Sequence, residues 1–172
     1  MLKLAGAVLI MAASLLAGMS AAEHVQDEYE AMRHIRGVLY ALRSEILYSR
    51  SCLGEAFGKI AGEVGAPFDQ WLSGMAEQMQ ERDGIPFSVI WKNGMSVISA
   101  GSRLPGKEKE RLEMLGMELG SIDMEAQIRS LDLYLEELRL SMEEKREGMK
   151  TRIRLCRCLG LMGGLFLSIL LI

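Results

Sequence analysis

The chain is poor in the residues that would give it a disulfide frame, a sheet or a polynucleotide-binding surface. It has three Cys in 172 residues, with no even pairing pattern, which excludes a disulfide scaffold. Three Pro and 6% aromatics argue against an all-β sandwich. Neither sign of charge dominates: 20 Lys and Arg against 23 Asp and Glu leave a net charge of -3. A pI near 5.5 argues against a nucleic-acid partner, since such domains carry a clear basic excess. A charged fraction of 25% is ordinary for a folded protein and excludes a disordered charged tail. What the chain has in quantity is apolar: 49% of residues, with mean hydropathy +0.14. The length predicts one domain, and the apolar excess sits at the two ends.

Leu4 to Ala22 is 19 residues without a charge, and about 20 apolar residues cross a bilayer as a helix. Ser20-Ala21-Ala22 resembles a small-residue cleavage site behind a thin basic n-region at Lys3. Against removal, an amphipathic helix pattern starts directly after Ala22. At the other end, Leu155 to Ile172 spans 18 residues if Arg157 snorkels to the interface. Lys145, Arg146, Lys150, Arg152, Arg154 and Arg157 cluster before that segment. Basic residues near a span resist translocation, so the middle of the chain is expected in the cytoplasm, despite a weaker opposite signal at Lys3 and the acids after Ala22. The expected organisation is therefore an N-terminal transmembrane segment, 1–22, a cytoplasmic helical bundle, 23–154, and a C-terminal transmembrane segment, 155–172. Ser14 and Gly18, and the Gly160 and Gly164 of a GxxxG, have the small-residue spacing that lets helices approach closely in lipid.

The body reads as all-α. Val25, Tyr29, Met32, Ile35, Leu39, Leu42 and Ile46 recur in steps of three and four, one helix stripe continuing the first membrane segment. Leu53, Phe57, Ile60 and Val64 mark a shorter second helix. Gly65 and Pro67 break and restart the chain. Phe68, Leu72, Met75 and Met79 mark a third helix closed by Asp83-Gly84. Pro86 opens a fourth, with Phe87, Ile90, Trp91, Val97 and Ile98, weakened in its middle by Gly94. Pro105 opens a fifth, with Leu112, Leu115 and Leu119. Gly120-Ser121 ends it and offers Ser121 as a cap for the sixth. The sixth carries Ile128, Leu131, Leu135, Leu138, Met142, Lys145 and Met149, a heptad seam broken only by Lys145. The fold expected is a six-helix bundle with N- and C-terminal transmembrane helices. Its first and last helices pair antiparallel, and two short hairpins fill the space between.

Chemistry is hard to place on this pattern. Gly101-Ser102-Arg103-Leu104-Pro105-Gly106-Lys107 fits G-x-x-x-x-G-K. Glu108 stands where a magnesium-holding Ser or Thr belongs, and no strand pattern precedes the run, so a Pro-started helix after a Gly turn explains it better. Cys156 and Cys158 sit beside the membrane and, even with His24, fall short of a closed zinc site. Cys52 reads as packed near a helix start. His24 and His34 have no acid or nucleophile partner by spacing. No catalytic residue, metal site, cofactor or small-molecule substrate is expected.

The order of features resembles the stage III sporulation protein AB family of endospore-forming bacteria. The likeness runs through Met1-Leu2-Lys3-Leu4 and Gly6-Ala7-Val8-Leu9-Ile10, then Leu42, Glu45, Ile46 and Tyr48, then Leu53, Glu55, Ala56 and Phe57. It continues with Trp91, with Leu119-Gly120-Ser121, Asp123, Glu125 and Gln127, and with Leu159-Gly160-Leu161-Met162-Gly163-Gly164-Leu165. The family usually has Pro between Tyr48 and Leu53 and Ser where this chain has Ile122. The resemblance implies a helical domain similar to the F-type platform domain of type II secretion and type IV pilus machines. It implies a place in the channel complex between mother cell and forespore. The partners implied are the stage III sporulation AA ATPase and the other membrane components, with the body in the mother-cell cytoplasm.

On this reading the protein is a mechanical scaffold. Exposed charges on the fifth and sixth helices are the expected partner contacts: Lys107, Lys109, Arg111, Glu136, Glu137 and Arg139. The alternative is a membrane-bound signalling or regulatory protein that dimerises through the Ile128–Met149 seam.

Overall fold

The computed structural model describes residues 2–49, 51–81, 84–120 and 123–171, with only some side chains described in the outer parts of the first and last helices. Among the described residues every regular element is helical. In chain order they are α1 (Leu2–Ser44), which passes into a π-helical turn at Glu45–Ser49, α2 (Leu53–Ala61), α3 (Phe68–Gln80), α4 (Phe87–Gly101), α5 (Gly106–Leu119) and α6 (Met124–Leu171). The sequence-derived division into six helices holds, and α1 runs on from the apolar N-terminal run without a break.

Contacts divide the chain into two compact units: residues 1–29 with 143–172, and residues 30–142. In the first, Glu28 of α1 takes the Lys145 ammonium of α6 and, at 3.4 Å, the imidazole of His24. This explains why the heptad pattern is interrupted at Lys145. That position faces an opposite charge, and its side chain is only 17% exposed. Among the described residues no helix is long and apolar enough to cross a membrane. The side chains of Ser14, Gly18, Gly160 and Gly164, which carry the expected close packing in lipid, lie outside the described ones.

The second unit holds the core. The α1 stripe Met32, Ile35, Leu39, Leu42 and Ile46 is buried, as are Leu131, Leu135, Leu138 and Met142 of α6. Between them α2 packs on α3, α3 on α4 and α4 on α5, a run of sequential neighbours rather than two separate hairpins. Its centre is aromatic. Trp71 and Trp91 meet edge to face with centroids 5.0 Å apart, and Phe57 and Phe87 lie 6.3 and 5.7 Å from Trp91. Aromatic pairs favour such offset contacts.

Two glycines make this cluster possible. A Cβ at Gly116 would stand 2.0 Å from Trp91 Cδ1, and one at Gly94 would stand 2.9 Å from Trp71. Gly94 does not merely weaken α4; it is where the Trp71 indole passes. Trp91 Nε1–H donates to the Leu112 carbonyl at 2.8 Å and so fixes α4 against α5.

Asp123 caps α6. Its Oδ1 accepts from the Glu125 N–H at 3.1 Å and its carbonyl from Gln127 at 3.1 Å. Ser121 and Asp83 lie outside the described residues.

Candidate functional site

Gly101 closes α4, the next four residues are irregular, and Gly106 opens α5. Pro105 sits just before that first turn, and its carbonyl accepts from the Glu108 and Lys109 N–H groups at 3.0 Å each. A Cβ at Gly101 would come within 2.7 Å of Pro67, so this glycine serves packing against the α2–α3 connection. The run from Gly101 to Lys107 is a helix-to-helix link and not a phosphate loop fed by a strand.

The first turn of α5 carries a buried charge that periodicity did not reveal. Glu108 is 2% exposed. Its carboxylate accepts from Arg111 Nη1 at 3.1 Å. The same nitrogen donates to Ser141 Oγ at 3.1 Å, and Arg111 Nε lies 3.3 Å from Glu137 Oε2. Arg111 therefore bridges α5 to α6 through the Glu137 carboxylate and the Ser141 hydroxyl while holding Glu108 on its own helix. The planar guanidinium suits such a multiple contact better than an ammonium would. Tyr134, also buried, donates its hydroxyl to the Glu108 carbonyl at 3.4 Å. Burial, with the Glu108 charge second, pushes Tyr134 ionisation well above its ordinary range. The burial of Glu108 required knowing that α6 lies over it.

The six charges expected to form one contact face divide three ways. Arg111 and Glu137 are joined in the bridge just described. Glu136 and Arg139 pair with each other one turn apart on α6, at 2.6 Å, and this pairing holds the Glu136 carboxyl below its usual range. Lys109 reaches across to the Ser99 carbonyl of α4 at 3.4 Å, and Lys107 stands exposed at the start of α5.

Beside the bridge runs a groove of about 130 Å³ between α5 and α6, with Met114 and Leu133 in its walls and Leu115 and Tyr134 buried at its base. A second hollow, about 240 Å³, lies among Arg33, His34, Val38, Val64 and Phe68. His34 there meets the Phe68 ring edge-on at 6.3 Å, and the described lining holds no carboxylate, hydroxyl or thiol beside it.

Two further expectations change. Cys52 is exposed and not packed. The α6 seam proposed for dimerisation is used inside the fold: Leu131, Leu135, Leu138 and Met142 are all at or below 5% exposure. A stripe buried in its own bundle is not free to pair with a second copy.

The family model of stage III sporulation protein AB matches residues 3–172. Stage III sporulation protein AB of Bacillus subtilis (strain 168) is 27% identical over 171 residues, covering 99% of each chain. A solved structure of stage III sporulation protein AB superposes with a TM-score of 0.64 at 22% identity, covering 72% of this chain and 97% of that one. That similarity speaks to the fold.

Proposed function

The chain belongs to the stage III sporulation protein AB family, and from that premise we propose that it is a non-enzymatic, membrane-anchored scaffold. It works in the mother cell–forespore channel complex required for endospore formation and couples a cytoplasmic ATPase, stage III sporulation protein AA, to the membrane channel. Both ends insert in the cell membrane as helices, and the bundle faces the mother-cell cytoplasm. The bundle passes the movement of the ATPase to the membrane components through rigid helices.

One observation carries the reading: the two apolar ends belong to the two longest helices, of 43 and 48 residues. The Glu28–Lys145 ion pair ties these helices together. An unbroken helix is a stiff connector, rising about 1.5 Å per residue. Lys and Arg before the last apolar segment favour retention of the bundle inside the cell.

The test is co-purification of the ATPase with the full-length protein in detergent. Lys107, Glu136 and Arg139 are reversed together. The coupling reading predicts retention lowered by about tenfold, as loss of complementary charge weakens encounter and complex. Unchanged retention would contradict these contacts, and no ATPase retained by the wild type would contradict the coupling itself.

A further inference from the structure

Four large apolar side chains stand on the outer side of α5 and α6. Met114, Met117, Leu133 and Leu140 are 52, 65, 61 and 52% exposed. Single exposed apolar residues are commonplace, but a patch beside a groove marks a binding surface. Met114 and Leu133 form the walls of the α5–α6 groove. Met117 lies one turn beyond Met114 toward the α5–α6 turn, and Leu140 one heptad beyond Leu133 toward the other end, so the antiparallel pair carries one further exposed apolar residue past each end of the groove. These residues are separate from the inward stripes at Leu112, Leu115 and Leu119 and at Leu131, Leu135 and Leu138, which are buried. α6 is thus apolar on two sides, and only one has a partner within the fold. A groove between two helices with apolar walls has the form that receives a third helix, and two Met on the α5 side let the wall adapt to its occupant.

The charges around the groove select the occupant. Arg111 is taken up by Glu108, Glu137 and Ser141. Glu118 in the groove lining and Glu110 one turn before Met114 are exposed and have no basic partner among the described residues. Of the neighbouring cations, Arg139 is held by Glu136 and Lys109 by the Ser99 carbonyl, while Arg129 stands exposed outside the groove lining. The lining is therefore net acidic. A second copy of this chain, docked by two-fold symmetry, would set the same carboxylates against themselves.

We propose that the α5–α6 groove receives an amphipathic helix of a partner protein, with apolar side chains at three- and four-residue spacing flanked by Lys or Arg. This goes beyond ATPase coupling, since the occupant is defined by its chemistry, whichever protein supplies it. Met114 and Leu133 insert between its apolar residues, and Glu110 and Glu118 receive its cations.

The experiment places a photo-crosslinking amino acid at Met114 or Leu133 of the full-length protein in sporulating cells and sequences the adduct. A control probe stands at Val89, an exposed apolar position on α4. The expected result is an adduct on a helical segment with Lys or Arg beside its apolar positions, absent from the Val89 control. Its yield should fall about tenfold in the double variant Glu110→Lys with Glu118→Lys, which reverses the groove's charge. The proposal is overturned by cross-linking to a second copy, to lipid or to an acidic segment, by no adduct, or by a yield that the reversal leaves unchanged.

Discussion

At the scale of single residues, two contacts decide the fold around the candidate face. Gly116 lies under the Trp91 ring so closely that any Cβ would overlap it. Overfilling a packed site costs about 1–3 kcal/mol or more. Gly116→Ala should therefore lower thermal stability by at least that much and red-shift the buried Trp fluorescence. An unchanged midpoint would show that Trp91 can move away freely. Arg111 satisfies the buried Glu108 carboxylate. Removing one partner of a buried ion pair leaves an uncompensated charge and costs about 3–5 kcal/mol. Because Arg111 is itself 23% exposed, water reaches the site, and Arg111→Ala should fall at the lower end, about 3 kcal/mol by chemical denaturation. A cost under about 0.5 kcal/mol, the size of a surface pair, would contradict the bridge.

At the scale of elements, α1 was the most legible. Its three- and four-residue stripe of Met32, Ile35, Leu39, Leu42 and Ile46 is buried as its period requires. The π-helical turn that ends it left no periodic signal, because a single widened turn shifts the pattern only briefly. Trp71 was legible by spacing but was left out of the third stripe. It lies three residues after Phe68 and four before Met75, on the same face as the Phe68–Leu72–Met75 stripe, and the close room that Gly94 gives its indole is a packing fact that spacing does not show. Gly37 in α1 is different: a Cβ there would touch nothing within 4 Å. Gly37→Ala should stabilise the helix by about 0.5–1 kcal/mol through lost unfolded-state freedom, and a lower denaturation midpoint would refute this. The Glu45–Lys59 pair fastens the π-helical turn to α2 at 2.7 Å. The Lys59 ammonium, by hydrogen bond first, holds the Glu45 carboxyl below its ordinary value. This contribution is complete above the unfolded glutamate value of about 4.3 and is lost as pH falls through the lower folded value. Acidification through that window should cost the wild type more stability than Glu45→Gln; parallel losses would contradict the pairing.

At the scale of the whole molecule, the helical class, the six elements and the family were readable from pattern and feature order. Glu108 and Tyr134 were not, since burial of a polar residue depends on which helix covers it rather than on its own spacing. The contact face divided for the same reason: Arg111 and Glu137 look like surface charges on isolated helices and become a bridge once α5 and α6 are neighbours. The dimer seam was read correctly as an apolar stripe, but it is buried within the bundle. The account rests on a chain held in the membrane at both ends with its bundle inside the cell. Exposed Cys52 allows the direct measurement. In a Cys156→Ser and Cys158→Ser background, a membrane-impermeant maleimide is applied to intact and to opened cells, and the protein is then followed through alkaline membrane extraction. The account predicts a chain that stays with the membrane and a Cys52 labelled only after the cells are opened. Labelling of Cys52 on intact cells, or a chain released by alkaline extraction, would contradict it.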